Sequence, residues 1–267
     1  MSFEATIGVF WIWAGSLALH LAYYVIATGF VVLVLWLFWN RGLDRRKIQR
    51  RAWSRADAWR EIVASLRTVL IFSLVTAAVQ LGADAGLFTV QEHFHASEIV
   101  YLLATVAGMV VAQDTYFYWS HRLMHHRVMF RKFHRTHHKS VTPTAFAAYA
   151  FDAPEAVVHG LFVPLWLLAV PMHQAGLFIF LAIMVLRTAM GHSGVELFPA
   201  RLTAGGWLGW IIPNVHHDLH HTTVVYNYGL YFTWWDRLMG TEHPNYAEQM
   251  LALAEADPLA ADSAVRV

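Results

Sequence analysis

The chain lacks cysteine altogether and contains few charged residues for its length of 267. Without cysteine it can form no disulfide, no thiolate nucleophile and no cysteine-ligated zinc or iron–sulfur site of its own. Charged residues make up 14% of the chain, whereas soluble domains carry roughly 25%. Because 57% of the residues are hydrophobic, the composition predicts an integral membrane protein rather than a soluble one.

The overall charge and the start of the chain exclude two further classes. The formal net charge is only +1, which gives no support for a nucleic-acid partner. Residues 1–4 contain no basic residue, and the apolar run that follows is too long for a cleaved signal peptide, so we expect a retained membrane segment. No retrieval or lipidation motif is visible. Together with the high alanine content, this favours a bacterial inner membrane over the endoplasmic reticulum.

Five apolar runs are candidates for entering the membrane. The first exceeds the roughly 20 residues that one upright helix needs, and we predict a single tilted or kinked helix. The fourth and fifth form a hairpin whose arms are each marginal for a full crossing, so a shallow re-entrant hairpin remains an alternative. The runs cover residues 5–39, 62–81, 99–119, 156–170 and 175–190. With no strand-rich region, they predict an all-α integral membrane protein with about four to five membrane helices or half-helices.

Three short histidine clusters stand out from this apolar background. Residues 121–125 have the pattern HxxxH, and residues 134–138 and 217–221 have the pattern HxxHH. On a helix, residues three and four apart share one face, so each cluster offers two or three imidazoles from a single stripe. Eight such ligands suit two metal ions better than one. They are His121, His125, His134, His137, His138, His217, His220 and His221.

The ligand type and the membrane context together predict oxygen chemistry on a lipid. Neutral imidazole binds iron, copper, zinc and nickel. Zinc has no redox chemistry, although it could occupy such a site in a purified sample. Two iron ions can share the electrons needed to reduce O2 and attack an unactivated C–H bond. We therefore predict two Fe ions as the cofactor and O2 as a co-substrate.

Three more histidines lie near the clusters. His192 follows the fifth apolar run and is predicted as a ninth ligand. His159 lies within the hairpin, and His216 adjoins the third cluster but points off its shared face. Whether either of these two is an extra ligand is left open.

Three carboxylates are predicted to accept hydrogen bonds from the ligand imidazoles. Asp114 lies inside the third apolar run, and a carboxylate within the membrane indicates function because burying it is costly. We interpret it as an acceptor for an imidazole N–H, with a structural contact to Arg187 or a tyrosine as the alternative. Glu196 and Asp218 receive the same interpretation as Asp114.

Basic residues predict the side of the membrane on which the clusters lie. Residues 41–60 are dense in Arg and Lys, which marks the cytoplasmic side. Two crossings later the chain reaches residues 121–139, which are also rich in Arg and Lys. No run after the hairpin is long enough to move residues 217–221 across the membrane. All three clusters are therefore predicted on the cytoplasmic face.

The same features divide the chain into three predicted regions. Residues 1–98 contain the N-terminal membrane helices and the basic cytoplasmic loop. Residues 99–243 contain the histidine clusters and form the predicted catalytic domain. Residues 244–267 are rich in alanine and acidic residues, and we predict a flexible C-terminal tail.

Residues 114–241 resemble the fatty acid hydroxylase / sterol desaturase superfamily. The three histidine clusters are similar to its three histidine boxes, the first of which begins at Asp114. Gly191-His192-Ser193-Gly194-Val195-Glu196 resembles its HSGxE segment. Asn227-Tyr228-Gly229 and the stretch from Trp235 to Thr241 resemble its closing NYG and WDRxxGT motifs.

The resemblance implies a membrane-embedded di-iron enzyme that uses O2 to hydroxylate or desaturate a lipid, such as a fatty acyl chain or a sterol. It implies that all nine predicted histidines, His192 included, ligate the metals. It also implies a separate electron donor, such as a cytochrome, a ferredoxin or a reductase. Two other classes stay open, namely a zinc-dependent membrane lipid hydrolase and a non-enzymatic metal carrier.

Overall fold

The computed structural model describes residues 3–49, 51–203 and 207–256, and most of them are helical. Short 3-10 turns, including His137–Lys139 and Ala145–Tyr149, fill several connections. The helices and strands are, in chain order, α1 (Phe3–Phe38), α2 (Arg55–Asp84), β1 (Val90–Gln91), α3 (Ile99–Met124), α4 (Phe130–Phe133), α5 (Ala153–Gly160), α6 (Phe162–Leu167), β2 (Met172–His173), α7 (Gln174–Gly191), α8 (Ala200–Thr203), α9 (Asn214–Thr223), α10 (Trp234–Leu238) and α11 (Tyr246–Ala256).

Four of the described helices, α1, α2, α3 and α7, are long and apolar enough to cross a membrane. The first apolar run forms one helix, α1, as predicted, and this helix contains 36 residues. At 1.5 Å per residue it spans about 54 Å, compared with about 30 Å for the hydrocarbon core of a bilayer, so it can cross at a tilt. The prediction of an all-α integral membrane protein is confirmed.

The predicted hairpin extends across the bundle instead of ending part-way. Its first arm is divided into two short helices, α5 and α6, and its second arm is α7. The turn between the arms contains β2, which pairs in parallel with β1, and Val90 lies opposite Met172. Because β1 belongs to the connection between α2 and α3, the tip of the hairpin reaches the end of the bundle opposite the histidines.

Polar side chains inside the bundle pair with one another across α1 and α2. The Nε2 atom of His20 lies 2.7 Å from the hydroxyl of Thr76, and the indole N–H of Trp13 donates to Ser73 at 3.1 Å. Within lipid an unpaired polar group has no water to bond, so such contacts hold neighbouring helices together. They place α1 firmly beside α2 at mid-depth.

The 3-10 turn Ala145–Tyr149 closes the end of the helical bundle near the histidines. Its residues pack against α1, α2 and α7 in one apolar cluster with Tyr24 and Phe72. The carbonyl oxygen of Phe146 accepts hydrogen bonds from the hydroxyls of Tyr24 and Ser65, at 2.9 and 2.8 Å. These contacts fix the segment that lies between the second histidine cluster and α5.

The prediction of a flexible tail beginning at residue 244 is wrong for the part that the structure describes. Residues 246–256 form α11, in which Tyr246 and Met250 are buried against Val215 and Leu219 of α9. This apolar face gives the helix a partner despite its alanine-rich composition. Residues 257–267 lie outside the described residues, and the boundaries at residues 98 and 243 stay predictions.

Candidate metal centre

All nine histidines predicted as ligands converge at one end of the bundle and form two groups. The members of the first group, which we call site A, are His121, His125, His134, His138 and His220. The members of the second group, site B, are His137, His192, His217 and His221. In each group the candidate ligand atoms lie within 4.8 Å of one another, which is close enough for one ion to bind between them.

The HxxHH pattern serves both sites at once. In each of these two clusters the outer histidines, four residues apart, belong to one site, while the middle histidine belongs to the other. His137 and His220 are these middle residues. Each of these clusters therefore contributes to both sites, although the three histidines of the third cluster lie on one α-helix.

The second cluster is not an α-helix, contrary to the expectation for all three. The helical turn α4 ends before His134, which has φ −139°, and residues 137–139 form a 3-10 turn. Asp152 accepts hydrogen bonds from the backbone N–H and the hydroxyl of Thr136, at 2.7 and 2.5 Å. These side-chain bonds compete with helical backbone bonds and hold the irregular turn.

Hydrogen bonds to the ring Nδ1 atoms determine which nitrogen of each imidazole is free. The Nδ1 atoms of His121, His192 and His220 lie 2.9, 2.7 and 2.7 Å from backbone carbonyl oxygens. A carbonyl oxygen only accepts, so each of these Nδ1 atoms carries the hydrogen. Their Nε2 atoms therefore carry no hydrogen, and an Nε2 atom with a free lone pair can bind a metal.

Nε2 atoms that carry no hydrogen lie close together, and a cation bound between them would make this arrangement favourable. His134 donates from Nδ1 to Glu155 at 2.6 Å, and its Nε2 lies 2.9 Å from the Nε2 of His121. Neither nitrogen of this second pair has a hydrogen to donate, so two lone pairs are held together. A metal ion between them removes the repulsion, and the donor set therefore fits a metal at each site.

Burial keeps the ligands in their neutral form. It lowers the pKa of His137, His217 and His221 well below the ordinary value, and the neighbouring imidazoles lower it further. A charged imidazole would lose its water without gaining a partner of opposite charge. The site is thus arranged to present uncharged nitrogens at neutral pH.

Glu155 contacts His134 of site A but was not predicted from the sequence. Its side chain is fully buried, and it accepts both the Nδ1–H of His134 and the backbone N–H of Asp152, the latter at 3.3 Å. With Asp152 it forms the capping box of α5. The sequence signal that was available is this D-x-x-E spacing, which predicts a helix start but not a contact with a histidine 21 residues earlier.

The three carboxylates predicted to accept imidazole N–H groups hold other partners, so that prediction is wrong. Asp114 accepts from the backbone N–H of Tyr231 at 2.7 Å and of Phe232 at 3.2 Å. Glu196 accepts from two other backbone N–H groups, and Asp218 accepts from a glutamine side chain. Helical spacing fixes the face on which Asp114 lies, but it does not determine which loop covers that face.

The two histidines left open as extra ligands lie outside both sites. The Nε2 atom of His159 is 3.7 Å from the carboxylate of Glu155. The Nε2 atom of His216 is 3.6 Å from the carboxylate of Asp236, and its ring is fully buried. Each of these imidazoles therefore has a carboxylate as its neighbour and belongs to neither site.

Glu155→Gln tests whether this carboxylate holds His134 in its ligating orientation. Removing the hydrogen-bond partner of a metal-ligating histidine typically lowers metal affinity or activity by about 10–100-fold. We expect the metal affinity of site A to fall by a factor of that size. The measurement is a titration of the metal-free protein with Fe²⁺. Asp218→Asn is the matched control, because its bond to Gln49 involves no ligand, and it should leave the affinity unchanged. Equal affinities for wild type and Glu155→Gln would contradict the assignment.

Gly229→Ala tests the loop that carries the carbonyl partner of His121. A Cβ at Gly229 would lie 2.7 Å from the side chain of Ile212 and 2.8 Å from the carbonyl oxygen of Phe232. We expect this overpacking to destabilise the fold by about 1–3 kcal/mol and to lower the melting temperature in detergent. Gly8→Ala in α1, where a Cβ meets nothing within 4 Å, is the control. An unchanged melting temperature for Gly229→Ala would show that the loop adapts.

A large apolar cavity, which we call the membrane cavity, lies among α1, α2, α5, α6 and α7. Its volume is about 620 Å³. Trp11 and Phe178, on α1 and α7, line it and are 67% and 39% exposed, which places its rim at the lipid-facing surface. Its other end reaches Gln113 and His159. The walls between include Leu19, Phe72, Val79, Val163, Leu177 and Phe180.

Comparison with known proteins identifies the family. Residues 106–241 match the family described as fatty acid hydroxylase, and this match covers just over half of the chain and all nine histidines of sites A and B. The chain belongs to the fatty acid hydroxylase family. The resemblance noted in the sequence is thereby confirmed, and the two histidine sites are located within the part of the chain that defines the family.

Individual relatives carry the names of sterol enzymes. The chain is 31% identical over 229 residues to a delta(7)-sterol 5(6)-desaturase of Gibberella zeae, a match that covers 84% of this chain and 65% of the relative. It is 31% identical to lathosterol oxidase of Mus musculus, covering 56% and 48%. It is 29% identical to methylsterol monooxygenase 1 of Rattus norvegicus, covering 58% and 53%. The chain thus spans about half to two thirds of these relatives. No solved structure matches it.

Proposed function

We propose that this protein is a membrane-bound, O2-dependent oxidoreductase that hydroxylates or desaturates a lipid, with two iron ions as its cofactor. The observation that carries the proposal is that sites A and B lie just beyond the inner end of the membrane cavity, where His159 lines the cavity and stacks on Phe117 beside His121. Nine uncharged imidazoles, with carbonyl or carboxylate partners behind several of them, fit redox metals. Two bound iron ions, when reduced, would activate O2 for attack on an unactivated C–H bond.

The residues of the chain supply orientation and a dry environment. Backbone carbonyls and Glu155 hold the imidazoles of His121, His134 and His220 in place through Nδ1, so that Nε2 points inward. Phe117, Phe151 and Leu230 line the space beside the ligands and keep water away from it. The membrane cavity would bind the apolar body of the substrate and direct one carbon toward the two sites.

We propose a sterol or a related lipid as the substrate, with a fatty acyl chain as the second choice. The names of the relatives support the first choice. The cavity volume of about 620 Å³ lies within the roughly 300–1,000 Å³ of ordinary ligand pockets. The rim between α1 and α7 supports entry of the substrate sideways from the bilayer.

We further propose that the metal centre faces the cytoplasm and receives electrons from a separate donor, such as a cytochrome, a ferredoxin or a reductase. Exposed basic side chains surround the second histidine cluster. They include Arg127, Arg131, Lys132, Arg135 and Lys139. This surface supports the cytoplasmic side and favours an acidic donor. The bacterial inner membrane stays a prediction, since the three relatives described are eukaryotic.

The alternative functions have less support. A catalytic zinc normally uses three protein ligands and leaves one position for water, whereas sites A and B offer five and four imidazoles. A metal carrier would need polar groups along a path through the membrane, whereas the histidines of both sites cluster at one end of the bundle. Neither alternative uses the membrane cavity and both sites together.

A comparative lipid profile tests the proposed function. Cells that express the wild type or His137→Ala are grown with and without oxygen, and their lipids are compared by mass spectrometry. We expect a lipid that is heavier by one oxygen atom, or lighter by two hydrogen atoms, only in the wild type with oxygen. A product that forms equally without oxygen would contradict the proposal and favour a hydrolase.

A further inference from the structure

A small chamber separates the membrane cavity from the metal sites. Its volume is about 20 Å³, which is enough for about one water-sized molecule and too small for a sterol ring or a stretch of acyl chain. Its walls include four ligand imidazoles and the side chains of Phe117, Phe151, Thr188 and Leu230. A substrate carbon can therefore approach the metals only if part of this wall moves.

Three aromatic rings form the wall between the chamber and the membrane cavity. His159 lines the membrane cavity, whereas Phe117 and Phe151 line the chamber. The His159 ring stacks on Phe117 with centroids 5.0 Å apart and planes at 15°, and it lies 5.2 Å from Phe151. We call these three residues the ring partition. Phe117 is also 4.9 Å from the ligand His121, so the partition lies directly against site A.

The His159 ring is restrained mainly by packing. No hydrogen bond holds it among the described residues, and its Nε2 atom is buried without a partner. The carboxylate of Glu155, at 3.7 Å, is beyond hydrogen-bonding distance. His159 also lies one residue before the end of α5, where Gly160 precedes the break to α6. Rotation of this side chain would therefore break ring contacts and the 3.7 Å contact with Glu155, but no hydrogen bond.

We propose that the ring partition is the specificity-determining gate between the membrane cavity and the metals. It opens by displacement of His159, and the extent of opening sets how far the lipid enters and which carbon is presented to the metals. This inference rests on the proposed function. It assigns a role to one of the two histidines that the sequence left open as extra ligands.

Photo-crosslinking tests the gate without relying on turnover. The probes are two sterols that carry a diazirine, one on the side chain and one on the ring system, added to purified protein in lipid nanodiscs. Peptide mass spectrometry then maps the labelled residues. In the wild type we expect labels on the walls of the membrane cavity. In His159→Ala we expect labels also on Thr188 or Leu230 of the chamber, at roughly ten times the wild-type level. A change of one small group in an apolar pocket typically alters selectivity by about that factor.

Three further variants make the result specific. His159→Phe retains a ring of similar size and should restore the wild-type labels. Phe117→Leu opens the same wall from the other side and should reproduce the labels of His159→Ala, even if His159→Ala folds poorly. Leu165→Ala in α6, where the side chain is 51% exposed and lines neither space, should change nothing.

The outcomes separate this inference from the proposed function. If the wild type labels the chamber as strongly as His159→Ala and Phe117→Leu do, there is no gate and the inference fails. If the labels shift as expected but the wild type oxidises no lipid, the proposed function fails and the gate remains. When the wild type is active, His159→Ala should also alter the ratio of product positions by roughly tenfold, and His159→Phe should not.

Discussion

His137→Ala and His220→Ala are each expected to abolish lipid turnover, with kcat reduced by at least about a thousandfold, or about 4 kcal/mol. His137 belongs to site B and His220 to site A, so each substitution removes one ligand from a different site. Both are the middle residues of HxxHH clusters, and the other two histidines of each cluster serve the opposite site. Loss of either site should therefore stop a reaction that needs both metals.

Metal analysis of the same variants shows whether one ion is lost. Wild-type protein should contain two irons per chain, and each variant should retain one, with its level in the membrane fraction unchanged. His126→Ala is the matched control because His126 is exposed and belongs to neither site. Turnover retained in either ligand variant would contradict the account, as would two irons retained in both.

Gly15→Trp is expected to block the membrane cavity and reduce lipid turnover by roughly a hundredfold, or about 2.7 kcal/mol. Gly15 lines the cavity, and a Cβ added there meets nothing within 4 Å. An indole side chain would extend into space that the substrate needs, without a clash at its base. The iron content should not change, because α1 contributes no ligand.

Gly29→Trp provides the control for Gly15→Trp. It places the same side chain on the same helix, where a Cβ also meets nothing within 4 Å, but Gly29 is exposed and does not line the cavity. Steady-state assays with the lipid identified by profiling compare the two variants. Equal rates for Gly15→Trp and Gly29→Trp would show that the substrate reaches the metals by another route.

Local patterns explain why the convergence of the histidines and the membrane helices could be predicted. A run of apolar residues determines a membrane helix through its own length, and four predicted runs correspond to α1, α2, α3 and α7. Histidines at fixed short spacings remain close whether the segment is an α-helix or a 3-10 turn. The nine histidines therefore converge even though residues 134–138 are not an α-helix.

Contacts between distant segments explain what could not be predicted. The partner of His134 is Glu155, and that of His121 is the carbonyl oxygen of Tyr228, 107 residues later. Such pairs depend on how loops pack at the end of the bundle, which no spacing encodes. For the same reason the carboxylate of Asp114, correctly expected to be buried and paired, binds the backbone at Tyr231 instead of an imidazole.

The ring partition shows a similar limit of sequence reasoning. His159 was a candidate ligand because it is a histidine in the hairpin, and its side chain does reach the neighbourhood of site A. The break between α5 and α6 places it against Phe117 and Phe151 instead. Its role can be inferred only from the two cavities on either side of it.

Oxygen tracing with purified protein tests the central claim most directly. The wild type, loaded with iron and supplied with a reductant and the identified lipid, is exposed to oxygen-18 gas in ordinary water. The account predicts a product that contains one oxygen-18 atom, or a desaturated product that forms only when the gas is present. A product whose new oxygen comes from water, or one that forms without the gas, would contradict it.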